Sequence, residues 1–134
     1  MFLMNHNVDR TDTFPPLNMA VLVVEDNEIN RKVAEKLLDK FGCMHVSAEN
    51  GLEALECASS LEFDVILMDC QMPIMDGYEA TTKLRARKTP SMIVAVTADG
   101  DRNKCLEAGM DDYIPKPVRA KELYTILTRA IKAA

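Results

Sequence analysis

Short apolar runs alternate with longer amphipathic segments from Met19 to the end of the chain. Five of the runs have the length and the flanking residues of β-strands. They are Ala20–Val24, Met44–Ala48, Val65–Asp69, Met92–Val96 and Asp112–Ile114. The first, third and fourth are rich in Val, Ile and Leu, which is typical of strands that are buried on both faces of a parallel sheet. We therefore expect these three strands at the centre.

Helical spacing of apolar residues fills the segments between and after these strands. The first helix is predicted to bury Ile29, Val33, Leu37, Leu38 and Phe41, and to end at Gly42. The other helices are predicted around Leu52, Leu55 and Ala58 after Gly51, over Tyr78–Lys88, over Asp101–Ala108 before Gly109, and around Leu123, Ile126, Leu127, Ala130 and Ile131. Five strand-then-helix units predict an α/β fold: a doubly wound parallel sheet between two layers of helices.

The predicted helix Asp101–Ala108 is the weakest of the five, because it has few apolar residues to bury. A helix with little buried surface is a candidate moving part.

Residues 1–18 show neither helical nor strand periodicity and contain Phe14-Pro15-Pro16. We interpret this segment as a linker or an appended arm, and we place the folded domain at residues 19–134. The first residues lack the basic region and the sustained apolar core of a secretory signal. We therefore expect the protein to remain inside the cell.

Length, composition and charge limit the function classes. The 134 residues are 48% hydrophobic, which suits one globular domain. Sixteen basic against 21 acidic residues give a net charge of −5 with no basic cluster, which argues against nucleic-acid binding. The apolar run at Ala20–Val24 is far shorter than the ~20 residues of a membrane-spanning helix. We expect a cytoplasmic protein without a membrane segment, whose partners are proteins or cations.

The four cysteines, Cys43, Cys57, Cys70 and Cys105, include no Cys-x-x-Cys pair. The chain contains only two histidines besides, which does not favour a zinc site. We interpret the cysteines as reduced, buried thiols of a cytosolic protein.

Polar side chains follow four of the five predicted strands. They are Glu25 and Asp26 after the first strand, Asp69 at the end of the third, Thr97 after the fourth and Lys116 after the fifth. Ligand sites of parallel sheets lie beyond the carboxyl ends of the strands, so these groups are expected to converge. Any one of them could instead be a solvated loop residue or a helix N-cap, as Asp26 or Asn27 could be for the first helix.

Three neighbouring carboxylates repel one another unless a cation neutralises them. Oxygen ligands at an open, hydrated site suit Mg²⁺. With the metal bound, Asp69 could act as a nucleophile towards phosphorus and form an aspartyl phosphate. Lys116 would then balance charge on the phosphoryl oxygens, and Thr97 could donate a hydrogen bond to one of them.

Four motifs of the chain resemble the receiver domains of two-component response regulators. They are Val-Val-Glu-Asp-Asn, Leu-Met-Asp-Cys-Gln-Met-Pro-Ile-Met-Asp-Gly, Val-Thr-Ala and Tyr-Ile-Pro-Lys-Pro, in the family's order and at its usual separations. The resemblance covers about Met19 to Ala133. It implies a flavodoxin-like, five-stranded parallel sheet in the order 2-1-3-4-5 with five helices.

The resemblance also implies roles for the residues at the strand ends. Asp69 would be the phosphoacceptor and Asp26 a direct Mg²⁺ ligand. Glu25, which stands where the family often has aspartate, would act through water. The backbone carbonyl of Gln71 would complete the protein's ligands.

A second group of implied roles concerns the response to phosphorylation. Thr97 and Lys116 match the hydroxyl and the lysine that contact the phosphoryl group, and Tyr113 matches the aromatic side chain that changes rotamer on activation. The family favours a cis bond before Pro117, although an ordinary trans turn is also compatible with the sequence. Gln71 and Asp99 lie where the family tunes attack by water.

The segments at residues 26–31 and 69–77 are most similar to receivers appended to hybrid histidine kinases. This similarity implies transfer of a phosphoryl group from a phosphohistidine of a histidine kinase or a histidine phosphotransfer protein. A receiver would catalyse its own phosphorylation and slow autodephosphorylation.

The sequence leaves three alternatives to a receiver of a hybrid histidine kinase. One is a stand-alone, single-domain response regulator. Another is a Mg²⁺-dependent phosphohydrolase of the haloacid dehalogenase type, but its nucleophile lies on the first strand in an Asp-x-Asp pattern, whereas Asp69 ends the third strand. The last is a flavodoxin-like electron carrier, which needs a Ser/Thr/Gly-rich loop that the chain lacks after its first strand.

Overall fold

A computed structural model describes residues 14–98 and 100–133, with side chains to residue 131. Strands and helices alternate throughout. They are β1 (Ala20–Val24), α1 (Glu28–Lys40), β2 (Met44–Ala48), α2 (Gly51–Ser60), β3 (Val65–Asp69), α3 (Gly77–Ala86), β4 (Met92–Thr97), α4 (Arg102–Ala108), β5 (Asp112–Pro115) and α5 (Ala120–Ala133). Each predicted strand and helix is therefore present. Residues 1–13 of the predicted arm, and Asp99, lie outside the described residues.

The five strands form one parallel sheet in the order β2-β1-β3-β4-β5, which confirms the predicted topology. β1 pairs with β3 so that Val24 lies opposite Met68. β3 pairs with β4 so that Asp69 lies opposite Val96. The carboxyl ends of the three central strands therefore reach the same edge of the sheet together.

Alternate residues of each central strand enter two separate apolar clusters, one on each face of the sheet. Val23 and Leu67 pack with α1 and α5, whereas Leu22 and Ile66 pack with α2, α3 and α4. This period of two follows from the alternation of side chains along a strand. The result is the three-layer arrangement that the sequence predicts.

Side-chain caps fix where the helices begin. Asn27 accepts a hydrogen bond from the backbone N–H of Asn30 and starts α1, so Asn27, and not Asp26, is the N-cap. Asn50, Asp76 and Asp101 cap α2, α3 and α4 in the same way. α3 ends at Ala86, before the predicted Lys88, because Lys88 has a left-handed backbone with φ of 62°.

The predicted buried face of α1 is wrong at its beginning. Ile29 is 74% exposed and Val33 is 43% exposed, whereas Ala34, Leu38 and Phe41 are buried. Only three residues separate the end of β1 from the start of α1, so the first turn of α1 lies at the carboxyl edge of the sheet. The helix is buried against the core from Ala34, in its second turn, onwards.

Two further burial predictions are also wrong. Ile131 is 50% exposed because it lies in the last turn of α5. Cys57 is half-buried, although Cys43, Cys70 and Cys105 are buried and all four thiols are free, as predicted. Across the described ranges, no helix has both the length and the apolar sequence needed to cross a bilayer.

Residues Phe14–Leu17, which we call the strap, lie against α1 and α5. The Phe14 ring is 4.8 Å from the ring of Phe41 and 4.8 Å from that of Tyr124, measured between centroids. The Tyr124 hydroxyl donates a hydrogen bond to the carbonyl of Pro15 (2.6 Å). The N–H of Leu17 donates to the carbonyl of Phe41 (2.9 Å). The division between an arm at 1–18 and a domain at 19–134 stays a prediction, but the described part of that arm contacts the fold.

Candidate metal and phosphoacceptor site

The acidic residues at the ends of β1 and β3 converge as predicted. Glu25 and Asp69 each follow one residue after the paired residues Val24 and Met68. One carboxylate oxygen from each of Glu25, Asp26 and Asp69 lies within 4.8 Å of the others. Glu25 and Asp69 are buried, whereas Asp26 is exposed. The cluster is therefore open to solvent on the side of Asp26.

Lys116 bridges the two buried carboxylates. Its Nζ lies 3.0 Å from Oε1 of Glu25 and 3.1 Å from Oδ2 of Asp69. The N–H of Lys116 donates to the carbonyl of Thr97 (2.9 Å), which ties the loop after β5 to the end of β4. The Lys116–Pro117 bond is cis, as the resemblance implies.

Asp69 has a hydrogen-bond donor at each carboxylate oxygen. Oδ1 accepts the backbone N–H of Gln71 (3.2 Å), and Oδ2 accepts Nζ of Lys116 (3.1 Å). A carboxylate offers about four lone-pair positions, so both oxygens retain a position for a further contact. Only 4% of Asp69 is exposed, so most of its surface is covered by the protein.

Gly77 packs directly behind the phosphoacceptor candidate. A Cβ at this position would lie 2.1 Å from the carbonyl oxygen of Asp69 and 2.9 Å from Cγ of Met68. The N–H of Gly77 also donates to the carbonyl of Cys70 (3.0 Å). α3 can therefore begin this close to the end of β3 only because residue 77 has no side chain.

The corner between β1 and α1 is held by several hydrogen bonds. The N–H of Glu25 donates to the carbonyl of Ala48 (3.0 Å), and the N–H of Asn27 donates to Oε2 of Glu25 (3.1 Å). Nη1 of Arg31 donates to the carbonyl of Glu25 (3.0 Å). Sequence reasoning assigned no role to Arg31, although it ends the motif Asp26-Asn27-Glu28-Ile29-Asn30-Arg31.

Burial is the main cause of the altered pKa of Glu25. Burial, followed by the hydrogen bond with Asp69, raises this pKa from 4.5 to about 7, although Lys116 acts in the opposite direction. Burial lowers the pKa of Lys116, but its contacts with Glu25 and Asp69 outweigh burial and raise the pKa overall. Lys116 is therefore an ammonium at neutral pH.

The chemistry of the donor set fits a hard divalent cation. Once all three carboxyl groups are deprotonated, they and the Lys116 ammonium carry a net charge of −2, which a divalent cation would neutralise. Asp26 accepts no hydrogen bond within the described residues, so its carboxylate is available as a ligand. The predicted role of the Gln71 carbonyl stays a prediction, because the described contact of Gln71 is made by its N–H.

Thr97 and Tyr113 lie on the next two strands of the sheet, β4 and β5. Thr97 is buried and follows Val96, the residue that pairs with Asp69. Tyr113 is half-buried on β5, and the guanidinium of Arg102 lies 5.2 Å from its ring centroid. A Cβ at Gly100 would lie 2.6 Å from Cγ2 of Thr97 and 3.2 Å from Cε2 of Tyr113, so the β4–α4 loop touches both residues. Their part in a switch stays a prediction.

A 2-1-3-4-5 parallel sheet that ends in an acidic cluster, a lysine and a threonine is the arrangement expected of a receiver domain. The family model described as the response regulator receiver domain matches residues 21–128. The chain belongs to this family.

Curated relatives place the similarity in long signalling proteins. The hybrid signal transduction protein dokA of Dictyostelium discoideum is 44% identical over 115 residues, which are 84% of this chain and 7% of the relative. The sensor protein GacS of Pseudomonas syringae pv. syringae is 37% identical over 131 residues, which are 90% of this chain and 14% of the relative. The chain thus spans only a small part of these relatives.

Solved structures support the same assignment. One is the receiver domain of the sensor histidine kinase PA1611 of Pseudomonas aeruginosa PAO1, with magnesium coordinated in its active-site cleft. It is 40% identical to this chain with a TM-score of 0.81, and the match covers 87% of this chain and 99% of that one. The receiver domain of Ssk1 from Saccharomyces cerevisiae was crystallised with the histidine phosphotransfer protein Ypd1. It is 32% identical to this chain with a TM-score of 0.79, and the match covers 87% of this chain and 89% of that one.

Proposed function

We propose that this receiver domain accepts a phosphoryl group on Asp69 in a two-component phosphorelay, in a reaction that depends on Mg²⁺. The observation that carries the proposal is the position of Asp69: a buried carboxylate at the end of β3, between Lys116 and the acidic pair Glu25 and Asp26. Glu25 is also buried and in contact with Lys116, but Asp69 ends β3, the middle strand of the sheet, and so lies between the acidic pair that follows β1 and Thr97 at the end of β4.

Asp69 would supply the nucleophile of the transfer. An oxygen of its carboxylate attacks phosphorus, and the bond between phosphorus and the imidazole nitrogen of the donor histidine breaks with its electron pair passing to that nitrogen. Lys116 lies where it can balance the charge on the phosphoryl oxygens, and Thr97 can donate a hydrogen bond to one of them. Mg²⁺, held by Asp26 and Asp69 with Glu25 acting through water and the carbonyl of Gln71, would neutralise the remaining charge.

Phosphorylation would then shift a conformational equilibrium. The new phosphoryl oxygens offer the Thr97 hydroxyl an acceptor and draw it towards Asp69, and Tyr113 turns into the space that this movement opens. α4 buries only Cys105, so its displacement costs little. The surface of α4, β5 and α5 would report the phosphorylated state to partner proteins.

The partner would be a protein that carries a phosphohistidine: a histidine kinase or a histidine phosphotransfer protein. Apolar side chains at the carboxyl edge of the sheet support a protein partner, since Ile29 on α1 and Ile74 in the β3–α3 loop are 74% and 77% exposed. By similarity to its relatives, the domain would be a module of a cytoplasmic hybrid histidine kinase. A stand-alone regulator remains the alternative.

Labelling with a small phosphodonor tests the proposal. The protein is incubated with Mg²⁺ and acetyl phosphate, and its intact mass is measured. We expect the gain of one phosphoryl group in the wild type, none in Asp69→Asn and none in EDTA, whereas Asp39→Asn at the far end of α1 should label normally. Labelling of Asp69→Asn at the wild-type rate would contradict the proposal. Release of phosphate from phosphomonoesters over many turnovers would favour a phosphohydrolase instead.

A further inference from the structure

The corner that presents Asp26 is fixed on both sides of this residue. Before it, Glu25 is anchored by its own N–H on the carbonyl of Ala48 (3.0 Å). After it, Asn27 caps α1 and donates its N–H to Oε2 of Glu25 (3.1 Å). Asp26 itself makes no hydrogen bond in the described part of the chain, so its direction depends on the backbone around it.

Arg31 donates a hydrogen bond to the backbone immediately before Asp26. Its Nη1 donates to the carbonyl of Glu25 (3.0 Å), which belongs to the planar peptide unit that joins Glu25 to Asp26. The backbone of Arg31 is itself fixed, because its N–H donates to the carbonyl of Asn27, the N-cap of α1 (2.9 Å). A hydrogen bond that fixes this carbonyl of Glu25 also fixes the plane of the peptide. That plane limits the directions in which the side chain of Asp26 can point.

Repulsion between the carboxylates makes a fixed backbone at Asp26 necessary. Lys116 holds Glu25 and Asp69 together, but its described contacts do not include Asp26. The carboxylate of Asp26 therefore faces two acidic neighbours without a direct counter-ion, and a mobile peptide would let it turn away into solvent. Groups that orient metal ligands commonly change metal affinity by about 10–100-fold when they are removed.

We propose that Arg31 is a positioning residue of the metal site: it holds the Glu25–Asp26 peptide so that the carboxylate of Asp26 faces Asp69 before a cation binds. The inference rests on the proposed function, because it takes the acidic cluster to be a Mg²⁺ site. Arg31 acts through the backbone and touches neither the metal nor the phosphoryl group.

Geometry and charge predict opposite effects for the loss of Arg31. If Arg31 acted only as a nearby positive charge, its removal would make Mg²⁺ bind more tightly, because a repulsive charge would be lost. If Arg31 positions Asp26, its removal makes Mg²⁺ bind more weakly. The sign of the change therefore separates the two roles.

Three variants of the full chain give a controlled test. Arg31→Gln removes the charge and the reach of the guanidinium, and Arg31→Lys keeps the charge but not the planar donor group. Lys32→Gln removes the same charge from the next residue of α1, where Lys32 pairs at the surface with Glu28 (3.5 Å). Titration calorimetry with MgCl₂ measures the affinity of each variant, after a thermal melt has confirmed that it is folded.

We expect Mg²⁺ to bind about tenfold more weakly to Arg31→Gln, and several-fold more weakly to Arg31→Lys, with Lys32→Gln unchanged or slightly tighter. Phosphorylation by acetyl phosphate should recover near the wild-type rate when Mg²⁺ is saturating, because a positioning residue changes metal affinity more than the chemical step. Mg²⁺ affinity in Arg31→Gln that equals or exceeds the wild-type value would overturn the proposal.

A second measurement needs no metal. In metal-free protein, amide hydrogen exchange at Asn27 reports whether the corner is ordered, since this N–H is bonded to Glu25. We expect exchange at Asn27 to accelerate about tenfold in Arg31→Gln and to stay unchanged in Lys32→Gln. Unchanged exchange in Arg31→Gln would overturn the positioning role. Failure of the wild type to bind Mg²⁺ would contradict the proposed function instead, and exchange at Asn27 would still decide the role of Arg31.

Discussion

Substitution of Phe14 in the strap should destabilise the whole domain. The Phe14 ring contacts the rings of Phe41 and Tyr124, and the ammonium of Lys40 lies 5.5 Å from its centroid. Replacement of a fully buried Phe by Ala costs about 3–5 kcal/mol. Phe14 is half-buried, so we expect Phe14→Ala to lower the free energy of unfolding by about half of that, roughly 1.5–2.5 kcal/mol.

The hydrogen bond between Tyr124 and Pro15 gives a second, independent measure of how much the strap stabilises the fold. Tyr124→Phe keeps the ring contact with Phe14 and removes only the donor to the carbonyl of Pro15. A hydrogen bond of this kind contributes about 0.5–1.5 kcal/mol. Because both substitutions loosen the same segment, the double variant should cost less than the two single variants together.

Urea unfolding followed by far-ultraviolet circular dichroism measures these free energies. Ile131→Ala is a suitable control, because it removes an apolar side chain that is 50% exposed in the last turn of α5. We expect the control to cost less than about 0.5 kcal/mol. A loss no larger than that for Phe14→Ala would show that the strap does not stabilise the fold, and would support a boundary at residue 19.

The remaining predictions concern the site and the thiols. Gly77→Ala should destabilise the domain by about 1–3 kcal/mol in urea unfolding and slow phosphorylation, because the new methyl group meets the backbone of the phosphoacceptor; wild-type values for both would contradict this packing. Asp26→Ala should abolish Mg²⁺ binding in calorimetry and Glu25→Ala should weaken it less, so equal losses would refute the water-mediated role of Glu25. Iodoacetamide at pH 8 should alkylate Cys57 first and spare Cys70, since Cys57 is half-buried and burial raises the pKa of the Cys70 thiol to about 12. Peptide mass spectrometry showing the reverse order would contradict the burial that the structure gives these two thiols.

The sheet and the convergence of Asp69, Glu25 and Lys116 could be predicted from the sequence for a local reason. Continuous apolar runs define the strands, and the carboxyl ends of parallel strands meet at one edge, so polar residues at those ends must be neighbours. The prediction needed no side-chain geometry, only the order of apolar and polar residues.

Other features depend on contacts that the periodicity of apolar residues does not reveal. Helical spacing indicates which residues share a face of α1, but not how far the helix extends beyond the sheet, so Ile29 was assigned to the core and is exposed. The strap is bonded to Tyr124, which is 109 residues away in the chain. Arg31 contacts a backbone carbonyl, and such a bond requires no particular residue type at the acceptor.

The central claim is that Asp69 is the residue that becomes phosphorylated, and chemical mapping of the acceptor tests it most directly. Borohydride reduces an aspartyl phosphate to homoserine, so the wild type is treated with acetyl phosphate and Mg²⁺, reduced, digested and sequenced by mass spectrometry. The proposed function predicts homoserine at position 69 alone, and none when Mg²⁺ is removed. Homoserine at position 26, or an unreduced Asp69 in protein whose intact mass shows a phosphoryl group, would contradict it.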